Sequence, residues 1–409
     1  MKIDYKIQDK FDFGLFLPVL SLIIIGLLAI YSSTVNHPTA IGNFERQLSW
    51  TFISILVFFI VYFLPQQTFR YAAIFSYALS IFFLIVVLIM GKTVYGAKSW
   101  LAFGPFGFQP SEFAKIGVIL FMAYWFTKSE RNINNPLEIG YALTIGFLPV
   151  LLILLEPDMG TAIVYIILTL AMIFWSGISI FGMFVVVSPG VAAFASLFGL
   201  HVFIIALVFV VILLFIFKRN LYTNATVFVL NLAAGYFFDY AFNMLKPHQQ
   251  SRITSFIDPS SDPLGAGYNA LQAKVAIGSG GFWGKGFMEG NQTQLRFIPE
   301  QWTDFIYCVI GEEFGFLGSI IVVILFGIVL VKILNYASIS KSKSNSLILI
   351  GILAVLFSHF AINIGMNVGI TPVIGLPLPF LSYGGSSLLM NMVLIGITMN
   401  IYKNRKLHT

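Results

Sequence analysis

A single cysteine, Cys308, is all the chain contains, so no disulfide can form within it. Charge is nearly as scarce: Asp, Glu, Lys and Arg make up 10% of 409 residues, against about 25% in soluble globular proteins. The five histidines are scattered and form no Cys/His cluster of metal-site spacing. Fixed-period repeats and low-complexity tracts are missing as well. GPFGF, PDMG, SGGFWGKG and SYGGSS are rich in glycine. None has the strand–helix setting of a phosphate-cradling loop or a dinucleotide fingerprint. These absences exclude a separate soluble domain, a disulfide scaffold and the common nucleotide-binding folds.

What fills the chain is hydrocarbon. Hydrophobic residues make up 58%, and the mean hydropathy is +0.91. Runs of about 20 apolar residues match a bilayer core near 30 Å. The first follows Lys2, Lys6 and Lys10; it is too long for a signal-peptide core and lacks a small-x-small cleavage site. The others fall roughly at 47–65, 71–91, 112–128, 138–155, 160–176, 179–199, 201–217, 221–244, 304–334, 346–368 and 383–402. The expected fold is an all-α, polytopic membrane helix bundle of about 10–12 spans, one integral domain over 1–409.

The net charge of +6 does not point to nucleic acid, because the basic residues sit beside the ends of apolar runs. With the N-terminus in the cytoplasm and alternating sides, many of them fall inside: Lys2, Lys6, Lys10, Arg70, Lys128, Arg131, Lys218, Arg219, Lys332, Lys341, Lys343, Lys403, Arg405 and Lys406. The short outside loops hold Arg46, Lys92 and Lys98. This asymmetry predicts both termini in the cytoplasm and segment 246–303 outside. Reading 201–244 as one re-entrant element rather than two spans preserves that parity. Segment 246–303 is the one long polar stretch, and it carries aromatics throughout. Its length and composition suit an ordered cover over a working site.

Four sets of residues carry the informative chemistry, because an unpaired charge in lipid costs at least about 2.5 kcal/mol. In GAKSWLAFGPFGFQPSEFAK, Pro110 suits a first helical turn, and Glu112 and Lys115, three apart, share a face. Either they form a neutralising pair, or Lys115 lines a polar cavity with Lys98 or Trp100 at its rim. In EPDMGT, Asp158 either caps the next helix or, with Glu156, holds a cation or positions a loop. In QWTDFIYCVIGEEFG, Thr303 or Asp304 can cap the helix that begins there. Glu312 lies roughly 80° around the helix from Asp304 and is the expected partner for chemistry centred on it, whereas Glu313 is expected to pair inside the bundle. In GITPVIGLPLPFLSYGGSS, the prolines and glycines forbid a continuous helix. Such backbone at membrane depth needs surrounding protein or a wet cavity, unless it is an interfacial loop. All four sets fall on the outer side of the predicted topology.

These stretches, together with KPHQQSRITSFIDPSSDPLGAGYNALQAKVAIGSGGFWGKGF, resemble the shape, elongation, division and sporulation (SEDS) family, in order over most of the chain. GNQTQLRFIPE and the lysine-free TPVIGLPLPF look more like its elongation member than its division member. The resemblance implies a peptidoglycan glycosyltransferase that polymerises lipid II at the outer face of the cytoplasmic membrane. It maps the essential acid of the TDF motif onto Asp304. Trp100, Glu112, Lys115 and Asp158 are implied as substrate-site residues, joined by Lys98, Arg252, Lys274, Glu312, Ser382 and Ser386. A class B penicillin-binding protein, a transpeptidase, is the implied partner, alongside membrane lipids. Relatives usually have about ten spans, so the hydrophobic material near 201–244 suggests an added pair. Trp302 stands where many relatives carry His, and Ser99 where many carry Arg.

The implied reaction joins the 4-hydroxyl of an acceptor GlcNAc to the anomeric carbon of a MurNAc carried on undecaprenyl diphosphate. A carboxylate about 3 Å from that hydroxyl is needed as general base, the role expected of Asp304. The leaving diphosphate needs positive charge. Lys115, Lys98, Arg252, Lys274, Arg296 or a divalent ion (Mg or Mn) held by acids are the candidates. A single displacement inverts the α-diphosphate to a β-1,4 link. A lipid II flippase, a division- or sporulation-type polymerase and a non-catalytic scaffold are the competing readings. Transport requires access to both leaflets, whereas the polar sets concentrate on one side.

Overall fold

The computed structural model describes residues 10–94, 97–103, 106–128, 133–196, 198–244, 250 and 266–405. Every apolar run forms a helix: α1 (Phe13–Thr34), α2 (Asn43–Phe63), α3 (Gln67–Met90), α4 (Pro110–Thr127), α5 (Pro136–Leu155), α6 (Met159–Trp175), α7 (Ile180–Ser196), α8 (Leu200–Phe217), α9 (Leu221–Met244), then α10 (Ala266–Ser279), α11 (Ile306–Ile339), α12 (Lys343–Val368) and α13 (Gly385–Lys403). Of these, α10 is the addition, lying inside the segment expected to be a loop. Among the described residues nine helices are long and apolar enough to cross a membrane. The starts are written locally. Asp12 caps α1 by accepting from Gly14 N at 2.7 Å, Asn135 caps α5, Ser342 caps α12, and prolines open α4 and α5.

The hub is α12, which packs against α4, α6, α10, α11 and α13. Around it, α3 lies along α4, α13 along α2, α5 along α6 and α1 along α11. Bonds between distant residues fix which ends meet. At one end Asp12 binds Lys332 at 2.9 Å and Tyr336, while Asn400 donates to the carbonyls of Val61, Tyr62 and Leu64. The described chain therefore starts and finishes at the same end. At the other end lie the 280–305 stretch and the 370–384 turn.

Helices α7, α8 and α9 form a satellite. They pack on one another around Val210, Leu214 and Val227, and the buried Asn231 amide donates to Ser188 Oγ at 3.0 Å. Residues 218–220 alone join α8 to α9, with Lys218 in the left-handed conformation at the α8 C-cap. Region 201–244 is accordingly a helical hairpin, each arm long and apolar enough to cross a membrane.

The all-α expectation needs one addition. β1 (Lys92–Val94), β2 (Ala97–Phe103) and β3 (Phe106–Phe108) form a small antiparallel sheet in the order β1-β2-β3, with Leu101 opposite Phe108.

Helix α11 breaks at Gly315, whose φ of 65° and ψ of −159° lie outside helical space. A break inside a span strands backbone groups that water cannot reach. Here the Gly-rich SGGFWGKG stretch satisfies them. Lys285 N and Gly286 N donate to the carbonyls of Glu312 and Glu313, while Phe316 N and Leu317 N donate to Gly281 and Phe282. A Cβ at Gly315 would overlap the Gly284 nitrogen, so only glycine allows this approach.

Candidate functional site

Asp304 occupies a turn just before α11 and is half-buried. The helix N-cap position is Phe305, with no side-chain cap bond. The expectation that Thr303 or Asp304 caps the helix is therefore corrected: the chain is still turning at 304, which leaves the carboxylate outside the cap geometry. The turn is held by its backbone. Asn363 and Asn367 on α12 donate to the Asp304 carbonyl at 2.9 and 3.1 Å, and Asn363 also donates to Leu376 O at 2.7 Å. Ser382 Oγ donates to Thr303 O at 2.6 Å, and Tyr383 N to Trp302 O at 2.8 Å. Ser382 thus braces the turn that carries Asp304, with its hydroxyl also accepting from Leu378 N. Gly375, with a φ of 71°, passes so close that a Cβ there would stand 3.2 Å from Asp304 Oδ2. From α2, Gln47 accepts from Gly384 N and donates to Ser382 O. Ser386 is buried in the first turn of α13, beside the Trp50 indole that fills the space over Gly385.

Glu112 and Lys115 form the expected pair, with Nζ 2.7 Å from Oε1, and are 3% and 2% exposed. Lys115 has a second partner that sequence reasoning missed, His359 Nε2 at 2.9 Å. The His359 Nδ1 meets Pro377 O at 3.1 Å, which joins the pair to the broken backbone at GLPLP. The Tyr165 hydroxyl donates to Ser111 O at 2.6 Å and fixes the start of α4.

Of the two readings of Asp158, the structure shows the cap: its carboxylate accepts from Thr161 N at 3.0 Å and Thr161 Oγ1 at 2.8 Å. Burial raises its pKa, and those two bonds oppose the shift. Its neighbour Glu156 is fully buried; among the described residues neither of its carboxylate oxygens has a hydrogen-bond partner, nor has the buried Ser99 hydroxyl. Burial pushes Glu156 up to about 8, with the nearby Ser99 hydroxyl offsetting part of the shift and the Asp158 charge adding to it. At neutral pH Glu156 is a neutral acid behind the sheet, with Lys98 N donating to its carbonyl at 3.1 Å. Below about 4.5 the folded and unfolded chains both hold this proton, and burial carries no pH-dependent cost. As pH rises from about 4.5 to about 8 the unfolded chain releases it first, so stability falls. Glu156→Gln removes that slope. Its melting temperature should gain on the parent steadily over this window, and parallel profiles would contradict the assignment.

Lys98 was expected at the substrate rim. Its ammonium instead turns back to the end of α3 and donates to Leu88 O and Ile89 O at 2.8 and 2.9 Å. Unpaired carbonyls at a helix C-terminus attract a cation, and β2 starts within reach of them. Trp100 lies on β2 with its ring over Gly107 of β3. Lys274 on α10 is exposed and stretches across Gly369, close to the α12 asparagines that hold the Asp304 turn. Arg252 lies outside the described residues.

Glu312 was expected to support Asp304. It is instead fully buried and saturated by the preceding segment: Lys285 Nζ at 3.0 Å, Gln292 N at 2.8 Å, and Thr293 N and Oγ1 at 2.9 and 2.8 Å. Those donors outweigh the helical phase, because an ionised carboxylate in a bundle goes to the strongest donors available. Glu313 takes the in-bundle role expected of it and accepts from Ser32 of α1. Arg296 donates to Asn36 O, and the His37 ring stands edge-on to Trp302 at 4.8 Å. Burial, then the Arg296 charge, lowers the His37 pKa, and Glu300 opposes this. An imidazole therefore borders the Asp304 turn from the α1–α2 loop.

Among the described residues no three His, Cys, Asp or Glu groups converge to hold a divalent cation, and Glu112, Asp158 and Glu312 are engaged by other partners.

The site can now be set against known proteins. The family model described as a cell cycle protein, which groups FtsW, RodA and SpoVE, matches residues 13–208 and 198–407. The chain belongs to the FtsW/RodA/SpoVE family. The peptidoglycan glycosyltransferase RodA of Treponema pallidum (strain Nichols) is 36% identical over 430 residues, covering 96% of this chain and 98% of its own. The peptidoglycan glycosyltransferase MrdB of Escherichia coli (strain K12) is 33% identical, covering 95% and 94%. A solved chain from a study of how a peptidoglycan synthase complex coordinates polymerization and crosslinking has a TM-score of 0.73 and 26% identity, covering 97% and 98%. The crystal structure of Thermus thermophilus RodA, at 22% identity and a TM-score of 0.63, shares the fold over 97% of both chains. This FtsW/RodA/SpoVE chain is a multi-pass membrane protein with RodA-type relatives, in line with the elongation-type resemblance. The two matched stretches meet at α8, the first helix of the hairpin read as additional.

Proposed function

We propose that this chain is a peptidoglycan glycosyltransferase of the elongation type, polymerising lipid II into β-1,4 glycan strands with release of undecaprenyl diphosphate. The observation that carries this reading is the seat of Asp304. A half-buried acid at one end of a membrane bundle is fixed by its backbone carbonyl to two buried asparagines and flanked by a Gly–Pro turn. Fixing the backbone sets the position from which the carboxylate meets an acceptor hydroxyl, as a general base requires.

Lys115, buried behind the same turn, supplies positive charge toward the leaving diphosphate, with Lys274 above the bundle end as a second cation. Trp100, on its strand, provides an apolar face for a sugar ring. An apolar groove of about 600 Å³ along α2, lined by Phe52, Leu56, Phe59 and Phe63 among others, suits a prenyl tail. The Lys/Arg asymmetry supports a cytoplasmic-membrane protein with both termini inside and the Asp304 end outside. A class B penicillin-binding protein is the proposed partner.

Purified chain with that partner, given lipid II, should yield glycan strands long enough to resolve on a gel. Movement of lipid II across liposomes with no polymer would instead establish the transport reading.

A further inference from the structure

Helix α12 carries a buried polar stripe within an otherwise apolar span. His359, Asn363 and Asn367 are spaced four apart, share one helix face, and are 2%, 0% and 0% exposed. Two of the three hold the Asp304 turn, as described above. The third holds the cation. Pro377 O can only accept, so His359 Nδ1 carries the ring proton and donates to it at 3.1 Å. The ring nitrogen left without a proton, Nε2, then accepts from Lys115 Nζ at 2.9 Å. Asn363 holds the adjacent carbonyl, Leu376 O. One face of one helix thus grips Lys115, two consecutive carbonyls of the GLPLP turn, and the backbone of Asp304.

We propose that His359 is a positioning residue for glycosyl transfer, setting the Lys115 ammonium in register with Asp304 by bridging it to the Pro377 turn. The chemistry favours a neutral acceptor here. Glu112 already balances the lysine charge; a second carboxylate would over-neutralise it, whereas an imidazole nitrogen directs the ammonium without adding charge. The Pro377 bond fixes the ring's tautomer and orientation, as the second bond of a ligating histidine commonly does. Reacting groups misplaced by about 1 Å cost on the order of 100-fold in rate. The proposal rests on the polymerase reading, with Lys115 and Asp304 in one site.

The test compares His359→Leu, His359→Gln, Lys115→Met and the Lys115→Met/His359→Leu double variant in lipid II polymerisation, with melting temperatures measured alongside. His359→Leu should lower turnover at saturating lipid II by about 10- to 100-fold while leaving KM within about threefold. His359→Gln, whose amide can donate to Pro377 and accept from Lys115, should recover most of the rate. The double variant should be no slower than Lys115→Met alone, because the histidine acts through the lysine. Full turnover in His359→Leu overturns the proposal. So does a loss that adds to that of Lys115→Met, or one that Gln does not rescue in a protein melting at the parent's temperature. A parent chain that makes no glycan overturns the polymerase reading and this proposal with it. An active parent with an active His359→Leu overturns the proposal alone.

Discussion

Asp304→Asn should abolish measurable glycan synthesis, lowering turnover by about 10²- to 10⁴-fold, the contribution expected of a positioned general base. The reason lies in how the residue is mounted. Asn363, Asn367 and Gly375 engage the carbonyl and the surroundings of Asp304, while Ser382 holds the residue before it. Asparagine keeps the shape and every one of those backbone bonds. The variant should therefore melt with the parent and bind lipid II with similar affinity, so the loss appears in turnover and not in KM. A gel-based polymerisation assay with a parallel thermal melt separates the two effects. If Asp304→Asn retained a tenth or more of the parent's rate, the carboxylate would not be the base.

Glu312→Ala should have the largest effect on stability. Its carboxylate takes four hydrogen bonds from Lys285, Gln292 and Thr293, all on residues of the polar segment, which they close onto the bundle. Removing one partner of a buried ion pair costs about 3–5 kcal/mol, because the remaining groups stay desolvated and unpaired. Glu312 also stands next to the Gly315 break, where Lys285 N caps its carbonyl. Loss of the carboxylate should loosen both the segment and the broken helix. Limited proteolysis should cut the variant within 280–300 where the parent resists, and its melting temperature should drop by several degrees. Glu312→Gln, which keeps an acceptor oxygen, should fall between the two. An Ala variant as protease-resistant and as stable as the parent would show that the segment is anchored elsewhere.

The apolar helices were legible in hydropathy because each is long, apolar and flanked by polar residues. Glu112 and Lys115 were legible for a local reason, since three-residue spacing on a helix puts them side by side. Glu312 was misassigned because helical phase says nothing about donors arriving from residues 285–293. Lys98 was misassigned for a related cause. Its partners are the last carbonyls of α3, and only the unforeseen sheet brings it back to them. The glycines of SGGFWGKG matched no ligand motif, and their use is to let backbone meet backbone across the break at Gly315. His359, Asn363 and Asn367 left a readable trace: polar residues four apart in SHFAINIGMNVG, within a span where lipid offers them no partner. Spacing of that kind marks a buried polar face, although not what the face holds.

A structure of the full chain bound to a lipid II analogue in the acceptor position tests the central claim most directly. The account predicts the acceptor 4-hydroxyl about 3 Å from an Asp304 carboxylate oxygen, with the donor diphosphate on the Lys115 side of the turn. An acceptor sugar seated away from the 303–305 turn, its hydroxyl reaching Asp304 neither directly nor through one water, would contradict it.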